Sequence, residues 1–147
     1  MSSILKFIIL MMISLTGFMV NPLPAVAEEV TVVEADQQNQ TAQDWLDLID
    51  QTKYKESWDV ASADVRGNIT SDQWENSITS TLAGLGRRLT RGLDARKEAS
   101  SKPGLPDGTY VDLIFSSSFA NKQQAVETLT LVQDSDGIWR VAAYSIK

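Results

Sequence analysis

Apolar positions in the first half of the chain recur with a helical period. Ala42, Trp45, Leu46 and Ile49 fall at i, i+3, i+4 and i+7, which is one face of a helix. Thr41, followed three residues later by Asp44, supplies a start signal, so the spacing predicts a helix from Thr41. Asp44, Asp47 and Asp50 lie on another, solvated face. A second short helical stretch is expected over 54–61, carrying Tyr54, Trp58 and Ala61, and Gly67 then interrupts the pattern. Thr70-Ser71-Asp72-Gln73 offers another N-terminal cap, and Asp72 and Glu75 suit the positive end of the helix dipole. Trp74, Ile78, Leu82 and Leu85 form the next apolar face, and Gly84 and Gly86 are natural stops. From Arg87 the helical period gives way to strands. Val111, Leu113 and Phe115 alternate with Tyr110, Asp112 and Ile114, and 125–133 is rich in β-formers. The turn Asp134-Ser135-Asp136-Gly137 leads into a last strand over 138–146, and 87–99 is expected as the first. Helices followed by a meander of about four strands predict an α+β fold, with N-terminal helices packed on a curved antiparallel sheet.

The N-terminus reads differently. Lys6 precedes an apolar run from Phe7 to Val20, then Pro22, Pro24 and Ala25-Val26-Ala27 before Glu28-Glu29. A charged end, an apolar middle and a small-x-small site, in that order, predict a signal peptide over 1–27. As a helix, a run of about 14 residues spans about 21 Å, short of a hydrocarbon core of about 30 Å. The expectation is therefore export to a periplasmic or secreted location, with no stable membrane anchor after cleavage. Residues 28–40 hold four acids, no base and a Gln-Gln-Asn-Gln tract, and read as a disordered, solvated leader. That leaves 41–147 as a single domain.

Composition narrows the chemistry. The 147 residues carry a net charge of −6, which becomes −7 once Lys6 is removed with the signal peptide. An acidic chain of this kind is no general nucleic-acid binder. Cysteine and histidine are both absent, which excludes disulfides, His or Cys metal ligands, and Ser-His or Cys-His nucleophile pairs.

Several short motifs, taken in order, carry a resemblance. They are Trp45-Leu46, Tyr54-Lys55-Glu56-Ser57-Trp58, Trp74, Leu85-Gly86 with Arg91, and Pro106-Asp107-Gly108-Thr109-Tyr110. Phe119-Ala120-Asn121-Lys122, Glu127-Thr128, Asp136-Gly137-Ile138-Trp139-Arg140-Val141 and Tyr144 complete the series. Over about 42–147 the chain resembles the small exported bacterial domains grouped as domain of unknown function 4019. The resemblance implies a cone-shaped sheet of the cystatin-like or nuclear-transport-factor-like kind. It implies no activity, and so brings no catalytic residue, cofactor or metal ligand. Ala143 stands where the pattern leads one to expect glycine.

Candidate chemistry rests on a few residues. Glu127 or Asp112 could project into a pocket as a general base, although alternation makes solvent-facing strand positions the simpler expectation for both. Ser116-Ser117-Ser118 lacks the lysine of a Ser-x-x-Lys pair. Asp134-Ser135-Asp136-Gly137 starts like a calcium loop but lacks the later ligands. Trp58, Trp74, Glu127 and Tyr144 are candidate pocket residues, while tryptophans at this spacing, Trp139 among them, also suit a core. The densest signal is basic: Arg87, Arg88, Arg91, Arg96, Lys97 and Lys102 are six of the 13 cations. Arg87, Arg88 and Arg91 could contact an anionic envelope component or another exported protein; otherwise these cations balance acids within the fold or guard an edge strand. Two functions stay open: a non-catalytic exported binding or accessory domain, which is preferred, and a small pocket enzyme with a carboxylate base and no metal.

Overall fold

Residues 25–147 are described in a computed structural model, with side chains from Thr31 onward. The signal peptide predicted over 1–27 lies almost entirely outside the described residues.

The first helix, α1 (Ala25–Asp50), is longer than its apolar face suggested. Thr41 is an interior position, and the segment 28–40, expected as a disordered leader, is helical. Tertiary contacts account for the extension. Gln38 is buried, and the Arg96 guanidinium bonds the Gln38 side chain, Asn39 Oδ1 (3.0 Å) and the Ala35 carbonyl (3.2 Å). The acids and the Gln-Gln-Asn-Gln tract that suggested a solvated leader include the polar groups that Arg96 anchors.

Three shorter helices follow: α2 (Tyr54–Asp59), α3 (Ala63–Asn68) and α4 (Ser71–Leu82). Gly67 lies inside α3, which the sequence pattern had not separated. The Thr70 start signal is realised in full: Gln73 N–H donates to the Thr70 hydroxyl, and the Gln73 side chain accepts from Thr70 N–H. The helix ends at Leu82, and Gly84 and Gly86 follow with φ of +78° and +74°. A Cβ on Gly86 would stand 3.0 Å from Ala120 Cβ, so glycine lets this turn lie against the β-hairpin opposite.

The strands are β1 (Arg88–Ala99), β2 (Tyr110–Phe119), β3 (Lys122–Gln133) and β4 (Trp139–Ile146). They pair antiparallel in the order β1-β2-β3-β4, an open meander. Four register shifts, between Arg88 and Thr90, Leu93 and Ala95, Ser117 and Phe119, and Thr130 and Leu131, bend the strands. The helices cover one face, and this is the α+β arrangement the periodicity predicts. The β4 edge meets the α2–α3 junction, where Ser62 N–H donates to the Val141 carbonyl at 2.9 Å. β1 is the opposite edge, largely exposed and rich in charge.

The core lies between α1 and the sheet. Ala42, Trp45, Leu46 and Ile49 pack over Leu113, Phe115, Leu129, Leu131 and Val141. Trp45 meets Trp74 edge-on at 6.2 Å and Tyr144 at 5.1 Å. Ser57 ties the indoles together: its carbonyl accepts from Trp45 Nε1 (3.1 Å) and its hydroxyl from Trp74 Nε1 (3.0 Å). Trp139 is a core residue, as expected. No helix among the described residues is long and apolar enough to cross a membrane.

Candidate functional site

The sheet register explains how the site's charges meet. On β3, Ala125, Glu127, Leu129 and Leu131 share the buried face, so Glu127 is carried inward by the same alternation that buries its apolar neighbours. Glu127 pairs across β2 with Phe115, while Arg91 of β1 pairs with Ser117, one inward position along. Ser117 and Ala125 are small, which leaves a lane over β2 for the long arginine side chain. Arg91 fills it. Its Nε bonds Glu127 Oε1 at 2.8 Å and its Nη2 bonds Oε2 at 2.8 Å, a two-pronged pair.

Two further groups complete the cluster. Tyr144 of β4 donates to Glu127 Oε2 at 2.5 Å. Asp50, the last residue of α1, accepts from Arg91 Nη1 (2.8 Å) and Nη2 (3.2 Å) and pairs with Arg88 at 2.7 Å. Glu127 has 0% exposure, the one buried acidic residue among those described. A solvent-facing Glu127 is thus corrected; Asp50 stays on the exposed side of α1, with its carboxylate engaged by both arginines. Burial opposes the charge on Arg91, but its bonds to Glu127 and Asp50, and their charges, more than offset this and hold its pKa above the ordinary value. Burial, followed by the nearby Glu127 charge, pushes the Tyr144 hydroxyl well above its usual range, so it stays a donor.

The remaining candidates separate. Trp74 is buried in the core, and half-buried Trp58 donates to the Ile69 carbonyl at 2.8 Å, so both indoles serve packing. Asp112 lies on the outer sheet face, bonded by Thr130 Oγ1 (2.6 Å) and by Lys102. Ser118 shares a hydrogen bond with Thr90 at 2.6 Å, and Ser117 Oγ is buried without a partner. Among the described residues, no three His, Cys, Asp or Glu side chains group as a metal site. Arg88, Arg91, Arg96 and Lys102 are all tied within the fold. Arg87 is exposed, and its side chain pairs with no described residue.

Two hollows flank this network. One, of about 220 Å³, lies between α1 and β1–β2, with Ala42, Leu93, Leu113 and Phe115 below Arg88 and Arg91. The other, of about 600 Å³, lies at the end of α1, where Ile49, Tyr54, Leu82 and Phe119 sit beneath Arg87 and Arg88. Reading along the sequence found Arg91, Glu127 and Tyr144 separately but missed Asp50 and the joining of the four. The period-two run Ala125-Glu127-Leu129-Leu131 was the signal available for burying Glu127.

Four helices on one face of an open, four-stranded antiparallel sheet, with a buried ion-pair network and hollows beside it, define a small α+β domain. The chain belongs to the family described as "Protein of unknown function (DUF4019)", which it matches over residues 41–144. No curated protein matches it. The motif segments that carried the resemblance prove to be joints of the fold. Leu85-Gly86 meets Ala120-Asn121, where Asn121 N–H donates to the Leu85 carbonyl at 2.9 Å. The Tyr110 hydroxyl donates to the Pro106 carbonyl at 2.5 Å.

Proposed function

We propose that this chain is an exported, non-catalytic binding or accessory domain. One observation carries the reading over a carboxylate-base enzyme: both oxygens of Glu127 are already held, by the Arg91 fork and the Tyr144 hydroxyl. A general base needs a free lone pair within reach of a substrate proton. Here Glu127 is fully buried with three internal hydrogen bonds, so no substrate proton comes within reach, and the adjoining hollows offer surface rather than a reactive group. The sheet's four register shifts and its single helix-covered face also support a cone of the cystatin-like or nuclear-transport-factor-like kind. Export rests on Lys6, the apolar run after it and Ala25-Val26-Ala27, which place the mature N-terminus at Glu28.

Two measurements test this. Incubation with ester, phosphoester, lactone and glycoside reporters is expected to give no turnover that depends on Glu127. Turnover lost in a folded Glu127→Gln variant would overturn the binding reading in favour of the enzyme. Mass spectrometry of the exported fraction is expected to find Glu28 at the N-terminus, and an intact Met1 there would refute cleavage.

A further inference from the structure

We infer that the hollow at the end of α1 binds an amphipathic carboxylate: an apolar chain ending in a single carboxyl group. The inference rests on the binding reading above and names the ligand class. The base is apolar, with Ile49 and Phe119 set deep at 3% and 2% exposure. Half-buried Tyr54 and Leu82 complete the walls. The volume of about 600 Å³ lies within the span of about 300–1,000 Å³ usual for small-molecule sites.

The rim is basic. Arg87 is exposed and unpaired among the described residues. Arg88 meets Asp50 through Nε and Nη2, which leaves Nη1 available. Asp50 is the one acid lining the hollow, and both Arg88 and Arg91 saturate it. Counting Arg87 and Arg88 against Asp50, one positive charge is left over at the rim. In a chain of net charge −6, that is a local reversal of sign. An arginine fork matches a carboxylate, and the floor suits hydrocarbon. Inorganic phosphate would meet only the rim, and an alcohol of the same chain length only the floor.

Two backbone features shape the walls. Thr52, which also lines the hollow, has φ +60°, a left-handed conformation that a β-branched side chain rarely adopts. Gly86 is pressed against Ala120, which sets the direction in which Arg87 leaves the turn.

The test is calorimetric titration of the full mature chain with decanoate below its micelle concentration, with decanol and inorganic phosphate alongside. Decanoate is expected to bind saturably and at least about tenfold more tightly than either control, and to bind more weakly as salt rises. Arg87→Ala and Arg87→Glu are expected to weaken it about tenfold or more, with Arg87→Lys intermediate. Arg87 has no described partner, so these variants should melt with the parent. Backbone amide shifts should concentrate at 49–54, 82–88 and 119. The inference is overturned if decanoate gives no saturable binding, if decanol equals it, or if Arg87→Glu binds as the parent does. Any of these would leave the non-catalytic reading standing, since that reading depends on turnover at Glu127.

Discussion

Single residues carry unusual weight where charge is buried. Tyr144 illustrates this through pH. Its folded pKa is raised while the unfolded chain keeps the ordinary value of about 10. Above pH 10 the unfolded state loses a proton that the folded state retains, so the contribution is full below about pH 10 and is lost as pH rises past it. In a spectrophotometric titration of the three tyrosines, Tyr144 is expected to ionise only with unfolding. Its titration in the native protein near pH 10 would contradict the buried Glu127 contact. Trp139 makes the complementary point. Its ring is buried, yet its Nε1–H has no partner. Trp139→Ala is expected to cost about 3–5 kcal/mol through the cavity it leaves. Trp139→Phe removes the unmet donor, whose burial costs about 1–3 kcal/mol, and so should cost far less than the alanine change. Chemical denaturation measures both; equal losses would mean that the indole nitrogen is solvated.

At the level of elements, α1 is two helices in one. From Ala42 to Ile49 it is held by an apolar face, and from Ala35 to Asn39 by a single guanidinium reaching over from β1. Arg96→Ala is therefore expected to raise amide exchange through 33–40 while leaving 43–49 protected, as hydrogen-exchange mass spectrometry would show. Uniform protection in the variant would mean that the extension stands on its own propensity. The same division explains what was legible in the sequence. Elements buried by a periodic apolar face, namely the Trp45 stretch, α4, β2 and β3, are visible because burial leaves a period of 3.6 or 2. The Ala35–Asn39 extension depends on Arg96, 57 to 61 positions away, and no local pattern encodes such a partner. α3 is six residues with one buried side chain, too short to show a period. Glu127 was misplaced because a charged residue was given the solvated face, although its neighbours at two-residue spacing face inward.

Across the whole molecule, the Asp50–Arg91–Glu127–Tyr144 network links the end of α1 to β1, β3 and β4, so helix layer and sheet close together. Of the basic segment that marked the sequence, Arg88 and Arg91 are spent on this closure, Arg96 and Lys102 are tied elsewhere in the fold, and Arg87 and Lys97 are left for solvent. The first helix also packs more on β4 than on any other strand, with Trp45 against Tyr144 at 5.1 Å. A chain ending at Gln133 is accordingly expected to keep some far-ultraviolet helix signal but to lose the near-ultraviolet tryptophan signal of a packed core. A native near-ultraviolet spectrum from that fragment would show that β4 is dispensable.

That pairing of first helix with last strand has a consequence for timing. A ribosome delivers Trp45 about a hundred residues before Tyr144, at a pace of roughly 5–20 residues per second. For that interval the helix has only the later helices and an unfinished meander to settle on, and the meander lacks its closing strand. If the chain is exported as proposed, a translocation channel therefore receives a thread whose core cannot set until the final residues have been made.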